Sequence, residues 1–146
     1  MHFLYAITFC LFVVSATTEL KKASEDNNKN KTTKETPCPC TCGIFLSGQF
    51  VKGSKQPPKG NPALLQEMDN PFMNNAVGNR QCINKCLELI IKHLSKSADI
   101  LCASIDRDCK KEKAHLFIKN HDCQWTNTNL SAGREFCCKD NEPYKC

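Results

Sequence analysis

The chain has 146 residues, of which 12 are cysteine and 40% are apolar, and its 20 Lys plus Arg against 15 Asp plus Glu give a formal net charge of +5. This length fits one small domain rather than several. The lysines alternate with acidic residues, and the one dense cluster, Lys110-Lys111-Glu112-Lys113, contains a glutamate. We expect no nucleic-acid binding, because it requires concentrated positive charge. Weak attraction to acidic glycans or acidic matrix proteins fits this charge better.

The N-terminal segment has the features of a secretory signal peptide. An apolar run from Phe3 to Val14 is followed by the small residues Ser15 and Ala16, which is typical of a signal cleaved before Thr17. No later apolar run approaches the roughly 20 residues that a membrane-spanning helix needs, so no membrane span is expected. The sequence therefore predicts a secreted, extracellular protein with a signal peptide at residues 1–16.

Residues 17–37 are predicted to form a disordered polar arm. They contain one sizeable apolar side chain, Leu20, and no aromatic residue, so burial cannot offset the entropy lost on ordering. The cysteine-rich domain is then expected to extend over residues 38–146. Asn30 in the arm and Asn129 in the domain each begin a glycosylation acceptor tripeptide, and Asn129 lies in a segment interpreted as a loop.

The first third of the domain is rich in residues that interrupt regular structure. Five of the six glycines and four prolines lie between Gly43 and Asn79. The segment from Ile44 to Val51 is predicted to be a strand or short hairpin. Residues 55–62 are predicted to be an exposed turn or polyproline segment, and the rest of the region is predicted to be irregular.

The centre of the sequence has helical periodicity. Apolar residues at positions i, i+3, i+4, i+7 and i+11 predict an amphipathic helix over residues 80–95. These residues are Ile83, Cys86, Leu87, Ile90 and Leu94. We expect Leu87 and Ile90 to point into the core. Ser97 is a candidate N-cap for a second, shorter helix that runs through Ile105.

The C-terminal part is predicted to contain short strands. After Arg107 a charged helical turn can run toward Ala114, and Leu116-Phe117-Ile118 would either end it or begin a strand. From Trp125 onward, short strands and a turn at Asp140-Asn141 are expected. The sequence thus predicts a small, disulfide-rich α+β domain with one main helix, a shorter second helix, short C-terminal strands and a long irregular Gly/Pro region.

The cysteines predict a disulfide framework. Cleavage of the signal removes Cys10 and leaves 11 of the 12 cysteines, a density typical of small secreted domains. The candidates for disulfide formation are Cys38, Cys40, Cys42, Cys82, Cys86, Cys102, Cys109, Cys123, Cys137, Cys138 and Cys146. Ten of them could form five bridges, but the sequence does not assign the pairs.

The spacing of the cysteines limits how they can pair. The three cysteines from Cys38 to Cys42 alternate along an extended segment, so their thiols share one side and are expected to pair elsewhere. Cys82 and Cys86 lie on one helix face and are expected to tie the helix to two different segments. The adjacent residues Cys137-Cys138 face opposite sides of a strand and can pin two layers.

An odd number of cysteines leaves one thiol without a partner in the same chain. We expect the odd cysteine in the cluster from Cys38 to Cys42, because this cluster adjoins the predicted arm and can reach another molecule. A disulfide-linked dimer or a matrix-bound form is the predicted consequence. Zinc binding by this cluster with Cys82 and Cys86 is a competing interpretation. The predicted oxidising route disfavours it, so no metal site is expected.

The sequence shows no catalytic or cofactor-binding constellation. Three histidines follow the predicted signal, His93, His115 and His121, and no G-x-S-x-G nucleophile motif is present. His121-Asp122 is similar to the His-Asp pair of secreted phospholipase A2. Here, however, the cysteine doublet follows this pair instead of preceding it, and no glycine-rich calcium loop stands before it. We therefore predict a protein that is not an enzyme and needs no cofactor.

Five cysteines are spaced as in a family of carriers. Cys82 and Cys86 are followed by Cys123, Cys137 and Cys146, a spacing that resembles insect odorant-binding proteins. This resemblance implies a carrier with an apolar cavity for a small lipophilic ligand. The Gly/Pro region replaces the helices that form the cavity in those proteins, so the carrier is the alternative interpretation.

Three segments of the domain carry a further family resemblance. They are Cys40-Thr-Cys-Gly-Ile-Phe-Leu-Ser-Gly-Gln-Phe with the residues up to Pro62, Ser104-Ile-Asp-Arg-Asp-Cys109, and Asn127-Thr-Asn-Leu-Ser-Ala-Gly-Arg-Glu-Phe-Cys-Cys-Lys-Asp with the residues up to Cys146. Together they resemble the follicle cell protein family, small secreted insect ovarian proteins. This resemblance implies secretion by the epithelium around the egg and a role at or near the eggshell, and it implies no catalytic residue.

Two classes of function follow from the sequence. The favoured one is a secreted, non-enzymatic interaction or matrix protein, associated with the eggshell and cross-linked by disulfides. Its expected partners are extracellular or matrix proteins and acidic glycans. The alternative is a secreted carrier, which requires an apolar cavity.

Overall fold

The computed structural model describes residues 36–146. The predicted signal peptide at residues 1–16, residues 17–35 of the predicted arm and the acceptor Asn30 lie outside the described residues. The predicted cysteine-rich domain of residues 38–146 falls within them. In this described part, no helix is long and apolar enough to cross a membrane.

A five-stranded antiparallel sheet forms the framework of the domain. The strands are β1 (Cys38–Leu46), β2 (Leu64–Glu67), β3 (Cys109–His121), β4 (Thr126–Lys139) and β5 (Glu142–Pro143). Their order across the sheet is β2-β1-β3-β4-β5. Two helices, α1 (Ala76–Lys92) and α2 (Ser97–Ser104), lie between β2 and β3 in the sequence. Short 3-10 helices span Ser47–Gln49 and Leu94–Lys96.

The sheet, and not the helices, dominates the fold, so the predicted fold class was wrong. β3 and β4 have 13 and 14 residues, whereas the sequence predicted a helical turn near Ala114 and short strands after Trp125. β2 also lies inside the region predicted to be irregular. The length of β3 was missed because both faces of the sheet are covered along its central part. Leu116, Phe117 and Ile118 are all buried, which hides the alternation of a strand with one solvated face.

Helix α1 begins and ends about one turn earlier than the predicted range of residues 80–95. The side chain of Asn75 caps it by accepting a hydrogen bond from the backbone N–H of Gly78, and asparagine is favoured at this position. A Cβ atom on Gly78 would collide with the backbone carbonyl of Met73. The chain before the helix therefore crosses directly over its first turn.

The first core lies between the helices and one face of the sheet. Its buried helical members are Cys82, Cys86, Leu101 and Cys102. Its main strand members are Cys40, Cys42, Ile44, Leu46, Leu116, Ile118, Phe136 and Cys138. Leu87 and Ile90, which were expected to point inward, are only partly buried against this core. The closest contacts of α1 with the sheet are therefore made by cysteines rather than by large aliphatic side chains.

A second, aromatic core covers the opposite face of the sheet. Phe45 and Phe117 are buried there and pack edge to face, with ring centroids 5.1 Å apart. Trp125 packs on Phe45 at 5.2 Å and Phe50 on Phe117 at 5.0 Å, and such pairs contribute about 0.5–1.5 kcal/mol each. A Cβ atom on Gly43 would approach the Trp125 ring to 2.6 Å. The glycine therefore makes room for the tryptophan.

One glutamine side chain closes the loop between β1 and β2. Gln49 Nε2 donates hydrogen bonds to the carbonyl oxygens of Lys59 at 3.1 Å and Asn61 at 2.7 Å. Gln49 Oε1 accepts a hydrogen bond from the backbone N–H of Leu46 at 2.8 Å. These contacts hold together the loop that carries Phe50 to the aromatic core. Residues 55–62, predicted to be an exposed turn, are mostly exposed and contain no helix or strand.

Asn120 is a buried polar residue that joins three parts of the fold. Its Oδ1 accepts a hydrogen bond from the backbone N–H of Phe72 at 3.0 Å. Its Nδ2 donates to the carbonyl oxygen of Met73 at 3.4 Å and to Oδ1 of Asn79 at 2.9 Å. Asn120 is 6% exposed, so water does not replace these partners. The side chain therefore connects β3, α1 and the segment before α1.

The carboxylate of Glu112 connects β3 to two neighbouring segments. Arg107 Nη1 and Nη2 donate to its two oxygens at 2.6 Å and 2.9 Å, and the backbone N–H of Gly48 donates at 2.8 Å. Hydrogen bonds from Arg107, with a smaller contribution from Gly48, hold the pKa of Glu112 below its usual value. The ionised form of Glu112 is therefore favoured in the folded protein.

We expect Asn120→Ala to lower the free energy of unfolding by about 1–3 kcal/mol, because the backbone N–H of Phe72 and the side chain of Asn79 lose the partner that Asn120 provides. Chemical denaturation followed by circular dichroism measures the change. Asn84→Ala, at an exposed position of α1, is the matched control and should not destabilise the fold. Similar losses in the two variants would contradict the connecting role of Asn120.

We expect Glu112→Gln to reduce stability near neutral pH and to have less effect in acid. The folded-state pKa lies below the unfolded value of about 4.3, so the carboxylate stabilises the fold above that pH. This contribution is lost as the pH falls through the folded-state pKa. Denaturation at about pH 7 and about pH 3 measures the difference between wild type and variant. The control is Glu88→Gln, whose partner Lys85 is exposed. A Glu112→Gln effect of equal size at both pH values would refute this role.

Candidate functional site

Five disulfide bonds enclose the helices and the sheet. They join Cys38 to Cys123, Cys40 to Cys82, Cys42 to Cys86, Cys102 to Cys138, and Cys137 to Cys146. A native disulfide typically contributes roughly 2–5 kcal/mol to a small domain of this kind. This network therefore supplies a large share of the stability of the described residues.

Two of these bridges attach α1 to β1. Cys40 and Cys42 are two residues apart on a strand, and their partners Cys82 and Cys86 are four apart on a helix. Both spacings correspond to about 6–7 Å along the element. The two cysteines of the strand are therefore about as far apart as the two cysteines of the helix. The prediction that Cys82 and Cys86 reach two different segments was wrong, because both bridges end on β1.

The doublet Cys137-Cys138 connects β4 to two other segments. Cys138 is bonded to Cys102 of α2, and Cys137 is bonded to Cys146 after β5. Adjacent residues of a strand face opposite sides, so the two bonds leave β4 in opposite directions. The doublet therefore fixes α2 against one face and the C-terminal segment against the other.

Among the described residues, the free cysteine is Cys109 at the start of β3, and not a member of the cluster from Cys38 to Cys42 as predicted. Cys109 is 5% exposed, and its Sγ lies 3.6 Å from the carbonyl oxygen of Phe136. Its Cα is in register with Cys138 on β4. Burial raises the pKa of the Cys109 thiol, which keeps it in the less reactive protonated form.

The zinc interpretation of the cysteine cluster does not fit the observed bonds. The Sγ atoms of Cys40, Cys82 and Cys86 lie within 4.8 Å of one another. Each of them belongs to a disulfide bond, whereas zinc is bound by thiolates. The proximity of the three sulfurs therefore reflects two neighbouring bridges.

The described histidines lie apart from one another. His115 and His121 are six residues apart on β3, which corresponds to about 20 Å along a strand. His93 is exposed at the C-terminal end of α1. The His115 ring packs on Phe50 with centroids 4.9 Å apart, and the His121 ring contacts the carbonyl oxygen of Phe72. The described histidines therefore take part in packing and in a backbone contact.

Asn129 lies within β4 and not in the loop that the sequence predicted. Its φ is 62°, a left-handed conformation that asparagine tolerates better than most residues. The register between β3 and β4 shifts in this region, so the strand is irregular here. Asn129 is exposed. The acceptor tripeptide is therefore accessible to a glycosyltransferase at this irregular part of β4.

An apolar groove opens between α1, α2 and the sheet. Its volume is about 490 Å³, within the roughly 300–1,000 Å³ typical of small-molecule sites. The helices contribute Leu87, Ile90 and Leu101 to its walls, and the sheet contributes Leu116 and Phe136. The partly buried residues that the sequence placed in the core therefore form the side of a groove.

The part of β4 that lines the groove carries a positive charge. Of its lining residues, Ser97, Ser131 and Arg134 are polar. Arg134 Nη2 donates a hydrogen bond to Ser97 Oγ, and Arg134 Cζ lies 5.0 Å from the centroid of the Phe136 ring. No described carboxylate lies within ion-pair distance of Arg134. The guanidinium is therefore held in place by neutral groups.

The groove was not predicted because the segment around Asn129, in the first half of β4, was interpreted as a loop between two short strands. Leu130, Ala132 and Phe136 lie at even-numbered positions of β4, with Arg134 between the last two, and such alternation is typical of a half-buried strand. The polar residues Asn127, Thr128 and Asn129 next to them had suggested a turn. The alternation from Leu130 onward is the signal that could have identified this wall.

Comparisons with known proteins agree with the resemblance found in the sequence. The family model of the follicle cell protein 3C C-terminal domain matches residues 28–146. Follicle cell protein 3C-1 of Drosophila melanogaster is 54% identical over 110 residues, which are 75% of this chain and 38% of that protein. The chain thus spans well under half the length of this relative. No solved structure matches the chain. The resemblance to the follicle cell protein family is therefore confirmed, and the chain belongs to this family.

Proposed function

We propose that this chain is a secreted, non-enzymatic protein of follicle cells that is deposited in the extracellular layer around the egg and binds other matrix components there. The observation that carries this proposal is the framework of five disulfide bonds in a domain of the follicle cell protein family. Such frameworks form and persist in oxidising compartments. The predicted signal peptide at residues 1–16 agrees with this route.

The position of the bridges suits a protein that must persist outside the cell. At least one bonded cysteine lies in each of β1, β4, α1, α2 and the C-terminal segment. Local opening of one of these elements therefore leaves it tethered to the rest of the domain. Disulfides of this kind limit the freedom of the unfolded chain, which favours recovery of the fold without chaperones.

Cross-linking through Cys109 requires a local opening of the domain. Cys109 is 5% exposed, belongs to the first core and is in register with Cys138, so the folded domain shields its Sγ from another chain. We infer that the folded protein is held in the matrix by non-covalent contacts. A disulfide-linked dimer would form only after the core around Cys109 opens.

Carriage of a small lipophilic ligand is a second candidate function, and the apolar groove is the observation that favours it. The resemblance to odorant-binding proteins depended on cysteine spacing, and the five-stranded sheet does not provide the helical cavity of those carriers. The groove nevertheless provides an apolar site of suitable volume, with walls formed by two helices and the sheet instead of by helices alone.

The deposition and extraction of the protein test the first proposal. We expect the tagged chain, expressed in Drosophila follicle cells, to enter the eggshell fraction and to be released by urea without a reductant. The matched variant Cys109→Ser should behave in the same way. Retention of both proteins inside the follicle cells would rule out an extracellular function. Wild type released only by a reductant, with Cys109→Ser released by urea alone, would instead show covalent cross-linking through Cys109.

Asn129 allows a test of passage through the secretory pathway. Because its side chain is exposed on β4, we expect it to carry a glycan in the secreted protein. Peptide N-glycosidase should lower the mass of wild type by more than that of Asn129→Gln. Asn74→Gln changes an exposed asparagine outside any acceptor tripeptide and should match wild type. Equal mass losses in wild type and Asn129→Gln would exclude a glycan at this site.

A further inference from the structure

We propose that the groove between α1, α2 and the sheet binds a long aliphatic carboxylate, with its chain on the apolar walls and its head group on Arg134. This inference rests on the second candidate function, carriage of a lipophilic ligand, and names the chemical class of that ligand. Three features of the structure support it: the apolar walls of the groove, the single charge of Arg134 and the exposed apolar rim.

The walls of the groove suit an aliphatic chain. Leu87 and Ile90 of α1 and Leu101 of α2 face Leu116 and Ala132 of the sheet across it. These side chains offer no hydrogen-bonding group, so a polar ligand would lose its contacts with water without replacement. An alkyl chain has no such contacts to lose, and its transfer from water to these walls is favourable.

The single charged residue of the lining defines the head group. Arg134 donates to Ser97 Oγ through Nη2 and lies near the Phe136 ring, and both partners are neutral. A guanidinium has five N–H donors and can bind a carboxylate through two parallel hydrogen bonds. Contact with Ser97 and Phe136 restrains the side chain at the groove before any ligand arrives. An anionic head group would therefore give Arg134 the charged partner that the described residues do not provide.

The rim of the groove is exposed and apolar. Leu94 is 60% exposed and Leu130 is 41% exposed, and both line the groove. Clustered apolar residues of this kind mark binding sites more often than isolated ones. A bound fatty acid would cover this rim and at the same time supply the anion for Arg134, whereas a neutral lipid would do only the first.

Calorimetric titration of the purified full chain, freed of lipid, with dodecanoate and with dodecanol tests this proposal. We expect dodecanoate to bind at one site and more tightly than dodecanol. Arg134→Met keeps a long apolar stem but removes the charge, so it should weaken dodecanoate binding about tenfold and leave dodecanol binding within about twofold. Arg80→Met, at an exposed position of α1 outside the groove, should leave the binding of both probes unchanged. Leu130→Ser should weaken the binding of both, because it removes part of the apolar rim.

The possible outcomes separate the ligand class from the function. Absence of saturable binding for both probes would overturn the proposal and the carrier function together. Equal affinities for the two probes, unchanged in Arg134→Met, would overturn the carboxylate proposal and leave a carrier of neutral lipids. A dimer in sedimentation that dissociates in Leu130→Ser, without binding of either probe, would assign the groove to a second copy of the chain.

Discussion

The paired bridges between β1 and α1 determine how the two layers of this domain meet. No large aliphatic side chain of α1 is fully buried, and those that contact the core are only partly buried, so packing alone constrains the helix weakly. The sulfurs of Cys82 and Cys86 match those of Cys40 and Cys42 in order and spacing, which aligns the helix with the strand. Leu87 and Ile90 follow Cys86 along α1 and are thereby placed at the side of the groove. The apolar site is thus a geometric consequence of a covalent constraint.

Sequence periodicity was sufficient to predict the position of α1 but not the strands of the sheet. The helix has one buried face and one solvated face, so its apolar residues recur at helical spacing and its position was predicted within about one turn. β3 has cover on both faces along Leu116 to Ile118 and charged residues from Lys110 to Lys113. Neither segment alternates in the manner of a half-buried strand. The extent of β3 depends on its pairing with β1 and β4, which is information from distant parts of the chain.

The candidate site was less predictable still, because each of its features depends on a pair of segments. The identity of the free cysteine follows from which cysteines meet across β1 and α1 and across α2 and β4. Proximity to the predicted arm favoured the cluster from Cys38 to Cys42, but all three of its cysteines are bonded in the fold. The groove likewise requires β4 and both helices at once. The family resemblance was accessible from the sequence because it rests on contiguous segments.

The order of the cysteines along the chain has a consequence for biosynthesis. Among the described cysteines, Cys38, Cys40 and Cys42 come first along the chain, and their native partners follow 85, 42 and 44 residues later. Any bond that forms early among these three is non-native and must be exchanged through thiolate attack before the domain can close. Wherever such a bond forms, the native framework is reached only through disulfide exchange, which a disulfide isomerase would accelerate.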